Sequence, residues 1–339
     1  PTLFRTDLAT GRKEILIPAS VFVPAGAKEP LKIEAYELSA DESRLLIFTN
    51  SQRVWRQNTR GDYWVLELAS RTLCKLGGDA AASSLMFAKF SPDGSRVAYV
   101  RESNLYVQDL KSRTITALTT DGSRTLINGT SDWVNEEELS LRDCFRWSPD
   151  GCHLLFWQFD TSGVPEFHLV DNAAGNSPRV TTFAYPKVGE KNSATRLGVV
   201  SVCGGAVRWL NLTGVPREHY LPHAEWTPDG ARILVQQFNR LQNRLGVFLA
   251  DPKSGQTQPV MTETDSSWLE NENPVRWLKS GKELVWLSEG TGWRHAYRQT
   301  LERASAAPIT HGEFDVIDIV AVDEAGGWLY YDALSLIHI

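Results

Sequence analysis

Phe90-Ser-Pro-Asp-Gly94, Trp147-Ser-Pro-Asp-Gly151 and Trp226-Thr-Pro-Asp-Gly230 are three copies of one phrase, each leading into a short apolar strand. The strands are Val97-Ala-Tyr-Val100, Leu154-Leu-Phe-Trp157 and Ile233-Leu-Val235. Degenerate copies run Leu38-Ser-Ala-Asp-Glu42 before Leu45-Leu-Ile-Phe48, and Trp277-Leu-Lys-Ser-Gly281 before Leu284-Val-Trp-Leu287. A weaker sixth is Val322-Asp-Glu-Ala-Gly326 before Trp328-Leu-Tyr-Tyr331. Each phrase has the chemistry of a hairpin turn. Proline presets φ, aspartate bonds nearby backbone, and glycine takes the positive-φ position. The flanks are β-branched and aromatic, and they are expected to alternate apolar and polar as half-buried strands do.

The copies recur at intervals of about 45–80 residues, at or above the length of a four-stranded propeller blade, with insertions making up the excess. A β-sandwich does not repeat a motif at that spacing. The expected fold is therefore all-β: a β-propeller of four-stranded blades over residues 1–333, incomplete, with about six blades recognisable. Residues 334–339 follow a strand with no cap, turn or polar tail and read as a truncated or artefactual end.

Composition sets the outer bounds. The 339 residues are 42% hydrophobic and 22% charged, an ordinary globular balance that can bury a large core without staples. A net charge of −6 argues against a nucleic-acid partner, which wants a basic surface. No run approaches the roughly 18–20 apolar residues of a membrane helix. Cys74, Cys144, Cys152 and Cys203 form no metal-ligand pattern and read as buried structural thiols, with a disulfide as the alternative. Asn128 and Asn211 open glycosylation triplets that are common by chance. No P-loop, dinucleotide fingerprint or metal cluster occurs, so no cofactor and no metal is expected.

One segment reads as helix. Trp133-Val-Asn-Glu-Glu-Glu-Leu139 follows Ser131 and Asp132, either of which can cap it. The three glutamates would sit in the first turns, where the helix dipole favours negative charge. Alone they fit a solvated acidic helix start. Trp133 and Val134 give the insertion an apolar, anchored face, and two adjacent carboxylates on a rigid element could clamp an ammonium by charge-assisted hydrogen bonds. Adjacent residues on an ideal helix diverge by about 100°. Convergence of the pair therefore requires irregular backbone or a helix end.

Asp132-Trp-Val-Asn-Glu-Glu-Glu138 followed by Trp147-Ser-Pro-Asp-Gly151 resembles the double-glutamate segment of the dipeptidyl peptidase IV family, of the prolyl oligopeptidase clan. Tyr185-Pro-Lys-Val-Gly189 with Asn192, Gly292-Trp-Arg-His-Ala-Tyr297, Ile309-Thr-His-Gly312 and Val54-Trp-Arg56 resemble further segments in the family's order. The likeness runs from Leu38 to Tyr331. It implies that Glu137 and Glu138 bind the free α-amino group of a peptide, and that Arg56 contacts a substrate carbonyl beside them. Asn135 departs from the pattern, which often has an aromatic residue there. The resemblance further implies release of Xaa-Pro or Xaa-Ala dipeptides, a C-terminal α/β-hydrolase partner domain, a homodimeric parent and an extracytoplasmic location.

The physics suits an exopeptidase. Carboxylates that bind the amino terminus measure the distance to the scissile bond, and a blocked terminus leaves them unpaired. No catalytic residue is expected in this chain, because no Gly-x-Ser-x-Gly nucleophile elbow occurs in it. The seven histidines lack such a partner and read as surface or core residues. Competing readings are a stand-alone propeller scaffold, which has no need of the double glutamate with Arg56, and the propeller of a tripeptidyl peptidase. An acylaminoacyl peptidase, which takes blocked termini, has no use for the two carboxylates.

Overall fold

The turn phrases close hairpins by one repeated set of bonds. In a computed structural model describing residues 1–270, 275–301 and 306–335, Ser91 Oγ donates to Asp93 Oδ1 at 2.6 Å and accepts from the Arg96 amide at 3.0 Å. The Gly94 amide donates back to the Ser91 carbonyl at 2.8 Å, with Gly94 at φ +68°. Ser148, Asp150 and Gly151 repeat the set, as do Thr227, Asp229 and Gly230. The degenerate copy at Ser39 and Asp41 keeps it with Glu42 in the glycine position at φ 53°.

These bonds hold the turn aspartates below the usual carboxylate range. Asp41 is lowered to about 2, chiefly by the Ser39 hydroxyl. Asp93, Asp150 and Asp229 are lowered chiefly by Ser91, Ser148 and Thr227. A carboxyl depressed in the folded state stabilises the fold above its unfolded value near 3.9 and loses that contribution as pH falls through the folded value. The melting temperature is therefore expected to drop between about pH 4 and pH 2. A variant with all four aspartates changed to asparagine should melt lower at pH 5 and show a flatter profile below it. An identical slope in the two proteins would show that the turns are not the acid-labile elements.

Sheets of consecutive antiparallel strands follow one another along the chain, the propeller-type arrangement. Ile33–Leu38, Arg44–Gln52, Arg60–Glu67 and Thr72–Lys75 make one set, and Leu85–Phe90, Arg96–Arg101, Asn104–Asp109 and Ile115–Ala117 the next. Pairing of Arg60 with Met86 and Gly61 with Leu85 joins these two sets into one eight-stranded sheet. Leu126–Asn128, Phe145–Trp147, His153–Asp160, Ala194–Ser201 and Arg208–Trp209 form a five-stranded sheet. His219–Trp226, Ile233–Asn239, Arg244–Ala250 and Thr257–Thr264 form a four-stranded one, and Arg276–Trp277, Glu283–Ser288, His295–Thr300 and Ala306–Pro308 another. Phe314–Asp323 and Trp328–Ser335 pair as a two-stranded sheet. Residues 336–339, most of the odd terminal segment, lie outside the described residues.

The chain divides into two compact units. One comprises residues 1–133, 143–154 and 200–206; the other comprises 134–142, 155–199 and 207–339. In the first, Leu45 and Ile47 pack with Phe22 and Leu66, while Leu46 packs with Tyr63, Val97 and Tyr99. In the second, Leu284 and Trp286 join Leu234 and Phe238, while Val285 and Leu287 join Ala296 and Val316. Successive residues of a strand point to opposite faces, so these strands are buried on both. The expected alternation is thus corrected to continuous apolar runs: Leu154, Leu155, Phe156 and Trp157 are all fully buried.

The widest gap between turn phrases contains a separate hairpin. Glu166–Asp171 pairs with Arg179–Ala184, and nearly all of it is exposed, with Phe167, Phe183 and Tyr185 clustered at its base. None of the four cysteines is in a disulfide, and Cys74 is half-buried. Cys144 is buried as expected, but Cys152 and Cys203 are exposed, because they sit in turns at strand ends instead of within strands. Asn128 is fully buried, with Nδ2 donating to Ser103 O and Asp121 Oδ1, so only Asn211 of the two glycosylation triplets presents its amide.

Candidate functional site

The expected helix spans Trp133–Leu139. Its residues have adequate helix propensity, and Leu139 supplies an apolar foot. Ser131 Oγ is buried and, among the described residues, finds no hydrogen-bond partner, so Ser131 does not cap it. The helix stops because Ser140 enters the left-handed region at φ 53°, after which the Leu141 amide donates back to the Asn135 carbonyl at 3.2 Å. The anchored face is Asn135, Glu136 and Leu139, all buried; Trp133 and Val134 are half-buried.

The three glutamates separate into two kinds. Glu136 alone lies in the first turn, with its side chain 4% exposed and Oε1 accepting from Arg142 Nε at 3.2 Å. Burial pushes its carboxyl up, the Arg142 guanidinium pulls it back, and Glu137 adds a smaller upward push. Glu137 is half-buried and Glu138 exposed, both in the last turn. Placement of all three in the first turns is thus corrected for these two, because a seven-residue helix has little length to spare. No basic residue lies in that last turn. Carboxylates at a helix C-terminus meet the negative end of its dipole, which disfavours them by a few tenths to about 1 kcal/mol each.

Glu138 acts electrostatically on a polar cluster in the same unit. Burial raises the Tyr220 phenol; Arg240 and a hydrogen bond with Asn192 oppose this, and Glu218 and Glu138 reinforce it. Asn192, the asparagine of the Tyr185-Pro-Lys-Val-Gly189 segment, is buried, and its carbonyl accepts from Arg217 Nη1 at 2.8 Å. Arg217 Nη2 also pairs with Asp160 at 2.9 Å. Arg240 pairs with Glu218 at 3.1 Å and donates to the Glu190 carbonyl. Arg142, Tyr220, Arg217 and Arg240 were not singled out from sequence. Only Arg142 left a local signal, as a cation six residues after Glu136.

Arg56 belongs to the other unit. It is exposed on the loop between strands Arg44–Gln52 and Arg60–Glu67. The loop is braced by Val54 N–H to Gln57 O at 3.1 Å, Arg53 Nε to Trp55 O at 2.8 Å and Asn58 Nδ2 to Ser51 Oγ at 2.9 Å. His295, in the Gly292–Tyr297 segment, is a buried structural histidine, bonded to Thr310 Oγ1 at 3.1 Å and Gly312 O at 3.0 Å. Among the described residues no three His, Cys, Asp or Glu side chains gather as metal ligands.

The family model described as "Dipeptidyl peptidase IV (DPP IV) N-terminal region" matches residues 39–335. A protein of Emericella nidulans named "Probable dipeptidyl peptidase 4" is 29% identical over 96% of this chain and 43% of its own length. Dipeptidyl aminopeptidase B of Saccharomyces cerevisiae is 30% identical over 94% of this chain and 40% of its own. The crystal structure of Porphyromonas gingivalis dipeptidyl peptidase 4 aligns with a TM-score of 0.90 and 26% identity, covering 98% of this chain and 47% of that one. The chain thus spans less than half the length of these relatives.

Proposed function

Given that the chain belongs to the dipeptidyl peptidase IV N-terminal region family, we propose that it is the amino-terminus-binding propeller of a serine exopeptidase that releases dipeptides from peptides with a free α-amino group. Glu137 and Glu138 bind the substrate ammonium and Arg56 binds a backbone carbonyl of the same peptide. The observation that carries the reading is the division of labour within the helix: Glu136 is buried against Arg142, while Glu137 and Glu138 stand less buried in the last turn, where helix electrostatics disfavour them. The nucleophile, base and oxyanion donors belong to an α/β-hydrolase partner domain that completes the parent, and the propeller restricts entry to its active site.

Two carboxylates facing an ammonium turn a terminal charge into a ruler. A peptide with an acetylated terminus has no cation to offer and forfeits the charge-assisted bonds that the two carboxylates would make to it. The full-length parent is expected to cleave Ala-Pro and Gly-Pro chromogenic substrates and to leave their N-acetyl forms intact. The isolated 339-residue chain, which has no nucleophile elbow, should hydrolyse neither. Equal cleavage of free and acetylated substrates by the parent would overturn the ammonium site. Turnover by the isolated chain would overturn the assignment of the chemistry to a partner domain.

A further inference from the structure

Residues 131–142, which carry Glu137 and Glu138, run between two chain segments that bond to each other. Thr130 and Asp143 form an isolated antiparallel bridge, and the Cys144 amide donates to the Gly129 carbonyl at 3.1 Å. Residues 131–142 are therefore a loop closed at its base by one bridged pair and the adjacent backbone hydrogen bond. Such a closure is weak alone, since a bridge of one or two bonds contributes little against the entropy of ordering a dozen residues.

A side chain from a neighbouring strand reinforces that base. Lys89, on strand Leu85–Phe90, reaches across to put Nζ 2.7 Å and 2.9 Å from the two Asp143 carboxylate oxygens and 2.6 Å from the Phe145 carbonyl. The same ammonium lies 3.7 Å from the centroid of the Phe145 ring. Three acceptor contacts match the three donors of an ammonium, and the aromatic face supplies further attraction. Arg146 completes the knot, donating to the Asp143 carbonyl at 2.9 Å and the Phe145 carbonyl at 2.7 Å. Burial lowers the Lys89 ammonium to about 8, Asp143 opposing that fall, so it is predominantly charged at neutral pH.

We propose that Lys89 is a positioning residue for substrate binding: by clamping Asp143 and Phe145 it fixes the base of the 131–142 insertion and with it the placement of Glu137 and Glu138. The inference rests on the ammonium-binding reading of those glutamates. Lys89 does not itself touch the peptide. Its loss lets the insertion move, so that the free-amine contact is made less often and at greater entropic cost.

The test uses the full-length parent with Lys89→Met, Asp143→Asn and Lys89→Arg variants. Two readouts are needed: steady-state kinetics on Gly-Pro-p-nitroanilide and amide hydrogen exchange across residues 128–146. Lys89→Met is expected to raise KM by about tenfold with kcat within about threefold of wild type. It should also speed exchange in 131–142 by about tenfold, leaving strand Arg96–Arg101 unchanged. Asp143→Asn should act in the same direction, and Lys89→Arg should restore KM to within about threefold, because a guanidinium can still hold Asp143. Unaltered exchange in 131–142 overturns the clamp whatever the kinetics show. Faster exchange with unchanged KM overturns the positioning role, and a parallel Glu138→Gln measurement locates the fault. If Glu138→Gln also leaves KM unchanged, the ammonium-binding reading fails with it. Loss of kcat and protection throughout the chain in all three variants overturns the proposal in favour of a general folding role.

Discussion

On the proposed ammonium-binding role, replacing Glu137 or Glu138 by alanine in the full-length parent is expected to lower kcat/KM for a free-amino dipeptidyl substrate by about two orders of magnitude. The reasoning starts from desolvation. A bound ammonium gives up water, and each carboxylate repays part of that loss through a charge-assisted bond. Removing one partner of a desolvated pair costs about 3 kcal/mol, which is roughly 150-fold in kcat/KM. The loss should appear with Gly-Pro-p-nitroanilide and be much smaller with substrates in which the amine is replaced by hydrogen. Glutamine at either position keeps shape and hydrogen bonding but removes charge, so it should lie between alanine and wild type. Glu136→Gln serves as the contrast. Its carboxylate already belongs to Arg142, and its loss should act through stability instead of through the ammonium. Turnover of Glu137→Ala or Glu138→Ala within twofold of wild type would remove these residues from the site.

The second large effect is on folding. Arg142→Met leaves Glu136 buried, with its side chain 4% exposed, without the one cation that pairs with it among the described residues. Breaking such a pair from one side costs about 3–5 kcal/mol; with Arg142 itself 30% exposed, the lower end applies, about 3 kcal/mol at pH 7. The pH dependence runs opposite to that of the turn aspartates. Glu136 has a raised folded-state value, and losing Arg142 raises it further. Below about pH 4 the carboxyl is protonated in both folded and unfolded chains, and the variant should approach wild-type stability. As pH rises past that point the unfolded chain ionises first and the deficit grows. Urea denaturation at pH 4 and pH 7 measures the difference. Adding Glu136→Leu to Arg142→Met should recover most of it, since an apolar pair of similar size removes the stranded charge. A deficit equal at both pH values would mean that lost packing, not lost charge, is responsible.

The turns were legible in sequence because their chemistry is local. Ser91, Asp93 and Gly94 make their bonds within six residues, and nothing distant can alter that pattern. The helix was legible for a similar reason, down to its first and last residues. The double burial of the strands was not. Leu45-Leu-Ile-Phe48 differs from a half-buried strand only in having no polar residue, and what covers each face is decided by neighbours far along the chain. The exposed hairpin at Glu166–Ala184 left only an over-long interval between turn phrases. Within the helix, three identical glutamates gave no hint that one is committed to Arg142. That distinction comes from where the chain turns at Ser140, which brings a cation beyond the helix end back onto its first turn.

The same exposed hairpin bears on how the chain is made. Most strands here pair with the next strand in sequence, so each can find its partner soon after leaving the ribosome. Strand His153–Asp160 pairs upstream with Phe145–Trp147, but its downstream partner Ala194–Ser201 is synthesised only after the hairpin has emerged. At about 5–20 residues per second, the intervening stretch delays that partner by about 2–7 s. During that interval the nascent chain carries Leu154 to Phe159, among the most deeply buried residues of the finished protein, on an uncovered edge. The hairpin thus lengthens the interval in synthesis during which strand His153–Asp160 is open to mispairing, an interval a holding chaperone can cover.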